Sequence, residues 1–266
     1  MYIKFILLYY IYLSMNFKTK RNKLSFAMLI IFILTISQII GTNGSFFPSV
    51  NGQATRCNNL DSKDTLPVLL VHGWNQGVDG SISNDWSEWA KRFNQENIPF
   101  CLVTFQQSND ACGASTDHAK ELDQLIKRLL DETGQKQVNI VGYSKGGLDS
   151  RVYLSNNLTN DDVANLIMIG TPNNGSNWAI DSLVCRPAVF DLVPGSNATK
   201  AERNTHTEYY TIAGACFPLV GDGLVMLSSV NSQPYFESLG LSPKCHQNLL
   251  GGFEYGLGHD VLIGKR

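Results

Sequence analysis

The segment GYSKG, Gly142–Gly146, places a serine between glycines directly after the apolar run Val138–Val141. A serine hydroxyl is a weak nucleophile, so it needs a general base within hydrogen-bond reach and donors for the developing oxyanion. The pattern G-x-S-x-G between a strand and a helix lifts the serine above the sheet, and glycines there avoid collisions with neighbouring backbone. An ordinary Gly-Ser loop is the competing explanation, but the placement between a strand and a helix favours Ser144 as a nucleophile.

The sequence offers five histidines as the base, namely His72, His118, His206, His246 and His259. The chain order of serine, acid and histidine requires a late histidine. His259, in the segment GLGHDVLI, follows a glycine turn and precedes a short apolar run, so we predict it as the base. His246, which follows Cys245, is the alternative, and His118 is expected to be solvated on an amphipathic helix.

The predicted acid is Asp222, which lies between two glycines in the segment GDGLV, shortly after the apolar run Tyr209–Ala213. A carboxylate there would hold the imidazole in the correct tautomer and stabilise the imidazolium. Asp191 is the alternative, although it precedes that run rather than following it. A turn aspartate between glycines is the structural explanation that competes with a functional one.

Strands and helices alternate along the chain from about residue 64. Short apolar runs predict strands at residues 66–71, 100–105, 138–142, 163–170 and 209–213. Apolar residues spaced three and four apart predict helices at residues 85–94, 115–133 and 148–154. This alternation predicts a parallel sheet covered by helices on both faces.

Three segments carry a resemblance to a known family: VLLVHGW, VNIVGYSKGGLDSRVYL and IGTPNNGS. They resemble the secreted triacylglycerol lipases and esterases of the α/β-hydrolase fold, in particular the small bacterial true lipases. The resemblance covers roughly residues 66–263. It implies an α/β class with a central, mostly parallel sheet, helices on both faces and a small lid-like insertion.

The resemblance also implies an oxyanion hole. In that family the residue after the His-Gly pair and the residue after the nucleophile donate backbone amides, which here belong to Trp74 and Lys145. The family uses the histidine of that pair, His72 in this chain, structurally. Lys145 departs from the family pattern, because an uncharged residue is commoner after the nucleophile.

Between the segments IGTPNNGS and YYTIAGA the fold needs only one covering helix. Residues 177–207 are longer than one such helix, so we interpret them as an insertion. The first part of this insertion is apolar at Trp178, Phe190 and several aliphatic positions. Such a stripe is typical of a helix face that packs on the core. It is equally compatible with a mobile flap above Ser144, and then Trp178 and Phe190 are expected to bind the acyl chain or a lipid interface.

The formal net charge of −2 gives no basic excess for nucleic acid. The resemblance implies a lipid or other ester as the partner, with membrane or lipid-interface contact, and we expect a monomer. The predicted function is a carboxylic-ester hydrolase with an acyl-enzyme intermediate and no cofactor. Calcium occurs in parts of the family, but no acidic cluster here requires a metal. Acyl transfer on the same intermediate and a non-catalytic hydrolase-fold binding protein are the alternatives.

The N-terminal segment predicts export. A basic cluster at residues 18–23 precedes the uncharged apolar run Leu24–Ile40, and small and polar residues follow it. This is the pattern of a secretory signal, or of a signal anchor at the short end of the spanning range. We expect residues 1–44 as signal peptide or anchor, with Met15 as an alternative start, and residues 45–266 as a catalytic domain that is secreted or faces outside.

All six cysteines follow the predicted signal: Cys57, Cys101, Cys112, Cys185, Cys216 and Cys245. An even count in an exported chain favours disulfides, and the lack of a CxxC pair argues against a metal site. We expect at least two disulfides. Short separation and the position around the insertion suggest Cys101–Cys112 and Cys185–Cys216, out of fifteen possible pairings.

Overall fold

The computed structural model describes residues 44–46, 55–62, 64–74, 86–108, 110–181, 185–216, 220–246 and 249. The chain divides into two compact units, Met1–Asn43 and Gly44–Arg266, and every described residue belongs to the second. Residues 1–43 of the predicted signal segment lie outside the described residues, and the signal stays a prediction. In the described part of the chain, no helix combines the length and the apolar character that a membrane crossing requires.

The described strands form one eight-stranded sheet. Their bounds are β1 Gly44–Phe46, β2 Arg56–Asn58, β3 Val68–Val71, β4 Phe100–Leu102, β5 Val138–Tyr143, β6 Val163–Ile169, β7 Glu208–Gly214 and β8 Glu237–Ser242. The order across the sheet is β1-β2-β4-β3-β5-β6-β7-β8. Strands β3 to β8 pair in parallel, and β1 and β2 add an antiparallel edge. The mostly parallel sheet and its five predicted strands are confirmed, whereas β1, β2 and β8 were not predicted.

Helices cover the sheet. In the described ranges they are α1 Ser87–Gln95, α2 Ser115–Thr133, α3 Lys145–Asn156, α4 Arg186–Leu192 and α5 Leu227–Val230, with a 3-10 helix at Asn177–Asp181. Helix α2 buries the apolar stripe that predicts it, including Leu122, Ile126 and Leu129. It ends at Gly134, whose φ of 68° suits a glycine and whose amide donates to the Leu130 carbonyl oxygen at 2.8 Å.

The sheet has an apolar core on each face, because successive side chains of a strand point to opposite faces. On one face Leu69 and Val71 of β3 pack in the cluster that includes α2 and α3. On the other face Val68 and Leu70 pack with Trp89 of α1. Each fully buried aliphatic side chain contributes about 1.5–3 kcal/mol. Burial on both faces explains why these strands read as continuous apolar runs rather than as alternating ones.

Three disulfides join the six cysteines: Cys57–Cys101, Cys112–Cys185 and Cys216–Cys245. The prediction of at least two disulfides is confirmed, but the two pairings suggested from the sequence are wrong. Cys101 bonds to Cys57 because the two residues are direct neighbours in the antiparallel register of β2 and β4. Short separation along the chain does not reveal such a neighbour, since strand register is set by the whole sheet.

Candidate active site

Ser144 lies on the sharp turn between β5 and α3 that the sequence predicts. Its φ is 51° and its ψ is −122°, a conformation that a non-glycine residue adopts only under strain. The turn requires its glycines. A Cβ at Gly142 would lie 2.7 Å from Cα of Gly147, and a Cβ at Gly146 would collide with the carbonyl oxygen of His72. The close approach of these backbones presents the serine hydroxyl above the sheet.

A row of hydrogen bonds joins Ser144 to two other buried side chains. Nε2 of His246 lies 2.9 Å from Oγ of Ser144, and Nδ1 of His246 lies 2.7 Å from Oδ2 of Asp222. When Nδ1 carries the proton and donates to Asp222, Nε2 accepts from the serine hydroxyl. This geometry lets the imidazole take a proton from the serine oxygen.

Asp222 is held so that one carboxylate oxygen is left for the imidazole. Its Oδ1 accepts from the backbone amides of Leu224 at 3.0 Å and of Val225 at 2.8 Å. Oδ2 then faces His246. The structure thus places the predicted acid in hydrogen-bond contact with a histidine, on the loop after β7 as the sequence predicts.

His246 is held by contacts on several sides. Its amide donates to the carbonyl oxygen of Asp222 at 2.8 Å, and its own carbonyl oxygen accepts from the Tyr143 hydroxyl at 2.6 Å. The rings of Tyr143 and His246 stack with centroids 5.2 Å apart. The preceding residue, Cys245, is bonded to Cys216, which follows β7. These contacts orient the imidazole toward Ser144.

His246, the alternative base, lies in hydrogen-bond contact with Ser144 and Asp222, and the assignment of His259 stays a prediction. His259 lies outside the described residues, and the place predicted for it beside Ser144 and Asp222 is held by His246. The physical reason is β8, which runs parallel to β7 and returns the chain to the edge where Asp222 lies. Because β8 is not predicted from the sequence, no predicted strand precedes His246. A Cys216–Cys245 pairing was the available signal, because it would bring His246 to the Asp222 loop.

Two other polar residues have structural contacts. Asp191, the alternative acid, accepts from the amide of Ser115 at the start of α2, with 2.6 Å between the atoms. Burial raises the pKa of this carboxyl. The prediction that His118 is solvated is wrong, because its side chain is buried and its Nδ1 lies 2.8 Å from Oδ2 of Asp149.

The two residues predicted to form the oxyanion hole lie on adjoining turns. Trp74 follows the turn at the end of β3, and Lys145 is the first residue of α3, where a helical amide has no intrahelical acceptor. Among the described residues, neither backbone amide donates to a protein acceptor. Because Gly146 has no Cβ, which would collide with the His72 carbonyl oxygen, the two turns can lie close together. Backbone amides on two turns beside a serine can bind an oxyanion.

A cavity of about 270 Å³ opens above Ser144 and His246. Its apolar lining consists of Trp74, Pro172, Trp178, Leu192, Leu224 and Val225. The ring of Trp178 meets that of Trp74 edge-on, with centroids 5.0 Å apart. In the same described ranges, no three His, Cys, Asp or Glu side chains are grouped closely enough to hold a metal ion. The cavity is suited to a hydrocarbon chain next to the serine.

Helix α4 forms one wall of this cavity through Leu192. Its residues Val189 and Leu192 are buried, which supports core packing for this part of the apolar stripe. The helix is fastened to the segment before α2, because the Cys112–Cys185 disulfide precedes it. Phe190 is 61% exposed and does not line the cavity, so of the two residues predicted to bind the acyl chain only Trp178 lies in the cavity wall.

The chain is similar to known proteins in sequence. A sequence model of the alpha/beta hydrolase fold matches residues 67–211, more than half of the chain. Triacylglycerol lipases of Pseudarthrobacter phenanthrenivorans and Burkholderia plantarii are each 30% identical to it over 117 residues. These matches cover 42% of this chain, and 35% and 31% of the two relatives. The chain therefore matches about a third of each relative's length.

The structure is also similar to a solved one. The Bacillus licheniformis lipase BlEst2 in mature form superposes with a TM-score of 0.62, over 81% of this chain and 96% of that protein. The two sequences are 19% identical. At this identity the likeness establishes the fold.

Proposed function

Because the chain belongs to the α/β-hydrolase fold family, we propose that it hydrolyses carboxylic esters as a serine hydrolase. The observation that carries this proposal is the row of hydrogen bonds from Ser144 through His246 to Asp222. A nucleophile, a base and an orienting acid in this arrangement are what acyl transfer to serine requires. The proposal assigns these three roles to the three residues.

The proposed reaction proceeds in two halves. His246 takes the proton of Ser144 as Oγ attacks the ester carbonyl, and the amides of Trp74 and Lys145 bind the oxyanion. Asp222 stabilises the imidazolium, which then gives its proton to the departing alcohol oxygen. The acyl group is left on Ser144 as an ester. His246 next activates a water, whose attack releases the acid and restores the serine.

We further propose that the substrate carries a hydrocarbon acyl chain, as in lipase and esterase substrates. The apolar lining of the cavity beside Ser144 supports this assignment. Each methylene that leaves water contributes about 0.8 kcal/mol to binding. The two curated relatives are triacylglycerol lipases, which supports fatty-acid esters as the substrate class.

Export from the cytoplasm is the proposed localisation, either as a secreted protein or as an anchored one. Three disulfides support it, since such bonds persist in oxidising compartments. The basic cluster and apolar run before residue 41 support it independently.

The proposal is tested with the full chain, p-nitrophenyl butyrate and a fluorophosphonate probe that modifies activated serines. The wild type should hydrolyse the ester and be labelled on Ser144. Ser144→Ala should lose the label and about 10⁴-fold or more in kcat. Ser155→Ala, a change on the same helix α3, is the matched control and should keep both. Labelling or turnover that survives Ser144→Ala would refute the assignment.

The role of Asp222 is tested by Asp222→Asn. The asparagine oxygen can still accept from the amides of Leu224 and Val225, so the loop should persist. Its NH₂ group cannot accept from Nδ1, so the imidazole should take the wrong tautomer and kcat should fall about 10⁴-fold. Asp191→Asn is the control and should leave kcat within a few-fold of wild type. Equal losses in both variants would contradict the assignment.

A further inference from the structure

The side chain of Lys145 is buried behind the turn that carries Ser144. Its Nζ donates to Oδ1 of Asp149, one helical turn along α3, at 2.6 Å. The other carboxylate oxygen, Oδ2, lies 2.8 Å from Nδ1 of His118 on α2. Lys145, Asp149 and His118, hereafter the buried array, are each no more than 2% exposed. None of the three lines the cavity above Ser144, so the array takes no direct part in proton transfer to the ester.

The buried array is ionic. Burial disfavours the carboxylate of Asp149, but the charges and hydrogen bonds of Lys145 and His118 outweigh burial and hold the pKa of Asp149 well below its usual range. Apolar residues of similar volume often match or exceed the stability that a buried ion pair contributes. Stability alone therefore gives a poor account of an ion pair on the residue that follows the nucleophile.

A partly buried pair, His72 and Asp110, holds the turn that precedes Trp74. Nε2 of His72 lies 2.8 Å from Oδ1 of Asp110, and its Nδ1 lies 2.9 Å from the carbonyl oxygen of Gly73. These contacts hold the ring of His72 and the carbonyl group of Gly73, the residue directly before Trp74. Hydrogen bonds of an ionisable side-chain pair therefore hold the turn before Trp74, as they hold the turn that carries Lys145.

Phe105 contacts both the buried array and the His72–Asp110 pair. Its ring stacks on His118 with centroids 3.8 Å apart and an interplanar angle of 5°, and it meets His72 edge-on at 5.6 Å. Its amide donates to Oδ1 of Asp110 at 2.6 Å. A continuous packed path therefore runs from the buried array to the turn before Trp74.

We propose that Lys145, Asp149 and His118 are positioning residues that fix the backbone amide of Lys145 relative to that of Trp74. The inference rests on the proposed function, in which these amides bind the oxyanion. A displacement of about 1 Å can cost about 10²-fold in rate. Loss of one oxyanion donor costs about 10²–10³-fold in kcat. The buried array thus acts on the transition state through the backbone, and ground-state binding does not depend on it.

The test is Lys145→Met, which keeps an unbranched apolar stem as far as Cε and removes the ammonium group that bonds to Asp149. With p-nitrophenyl butyrate, kcat should fall about 10- to 100-fold and KM should stay within about threefold. A trifluoromethyl ketone places an oxyanion in the hole when the serine adds to it, so its Ki should rise by the same factor as kcat falls. The matched secondary alcohol forms no oxyanion, and its Ki should not change.

Two further variants keep the test decisive. Lys145→Met combined with Asp149→Leu removes both charges and leaves no carboxylate unpaired, so it should fold even where Lys145→Met alone does not, and it should show the same loss of kcat. Asp123→Asn breaks the exposed i,i+4 pair with Lys127 on α2, at 2.7 Å, and should leave kcat unchanged.

A folded double variant with wild-type kcat would overturn the proposal, because positioning would then be independent of the buried array. Equal weakening of the ketone and the alcohol would also overturn it, since that result indicates a deformed cavity. Failure of the proposed function is a separate outcome, seen as a wild type without esterase activity or a Ser144→Ala variant that retains it.

Discussion

The hydroxyl of Ser144 becomes a nucleophile only if the imidazole beside it keeps one tautomer. In the proposed mechanism Asp222 selects that tautomer, because its Oδ1 is occupied by two backbone amides and its Oδ2 is left to accept from Nδ1 of His246. Tyr143 adds a hydrogen bond to the carbonyl oxygen of His246, so the residue is fixed at its backbone and its ring. Preorganisation of this kind means that little reorganisation is required when charge develops.

We predict that His246→Ala lowers kcat for p-nitrophenyl butyrate by about 10⁴-fold or more, because no other described group lies within hydrogen-bond distance of Ser144 Oγ. Circular dichroism should show that the variant is folded. Steady-state hydrolysis under excess substrate gives the measurement.

His259→Ala and His206→Ala are the matched controls, and both should keep kcat within about threefold. His206 is exposed and its amide, rather than its ring, bonds to Asn204. An inactive, folded His259→Ala beside an active His246→Ala would restore the assignment that the sequence suggested.

Strand β8 and the Cys216–Cys245 disulfide together bring the proposed base, His246, to the proposed acid, Asp222. β8 pairs in parallel with β7, so the segments that follow the two strands emerge at the same edge of the sheet. The disulfide then joins these segments, one residue before His246. The disulfide between Cys57 and Cys101 instead joins β2 and β4. The two cross-links should therefore differ in their effect on activity.

We predict that Cys216→Ser with Cys245→Ser lowers kcat at least tenfold at temperatures well below Tm, because the base loses a covalent restraint. Cys57→Ser with Cys101→Ser is the control and should keep kcat. Both double variants should lose about 2–4 kcal/mol of unfolding free energy. Hydrolysis rates and thermal melts on the same samples separate the two effects, and an unchanged kcat in the first variant would contradict the role of the disulfide.

Helix α4 offers a matched pair for acyl-chain preference. Leu192 lines the cavity and is buried, whereas Phe190 on the same helix is exposed. We predict that kcat/KM rises from acetate to a medium-chain p-nitrophenyl ester, since each buried methylene contributes about 0.8 kcal/mol. Leu192→Ala should shift the optimum to longer chains, and Phe190→Ala should leave the profile for soluble esters unchanged. The opposite pattern would show that Phe190 binds the acyl group.

The molecule buries several charged groups, and each is held by polar partners. The guanidinium of Arg151, for example, donates at 3.1 Å to the carbonyl oxygens of Asn173 and Ala201. Removing one partner of a buried pair costs about 3–5 kcal/mol. For His72, burial disfavours the imidazolium, but the hydrogen bond and charge of Asp110 outweigh burial and raise its pKa above the ordinary 6.5. The stability of the fold should therefore depend on pH through this pair.

A histidine whose pKa is raised by folding contributes stability that is complete below the unfolded pKa and is lost as the pH rises through the folded pKa. We predict that Asp110→Asn lowers Tm most below pH 6.5, and that the difference from wild type shrinks as the pH rises above that value. Asp117→Asn, which breaks an exposed pair with Lys120, is the control and should show no such trend. A Tm difference that is constant from pH 5.5 to pH 9 would contradict the prediction.

The sequence by itself determined the features that depend on neighbouring residues. The glycines around Ser144 predict a sharp turn because their lack of a Cβ is a local property, and the apolar runs predict five of the eight strands because each is buried on both faces. Asp222 was identified for the same reason, since its glycine-flanked loop directly follows a recognisable strand. Strand β8 reads ESLGLS and has no β-branched residue, so local pattern did not reveal it.

Only the tertiary structure decided which distant segments meet. It brought His246 to Ser144 over 102 residues of chain, paired Cys57 with Cys101 through strand register, and buried His118 against Asp149 of another helix. It also turned Phe190 outward while its neighbour Leu192 faces the cavity. Each of these outcomes depends on how parallel strands align at one edge of the sheet and on how helices pack across it. Such long-range arrangements minimise the free energy of the whole fold, and no short segment encodes them.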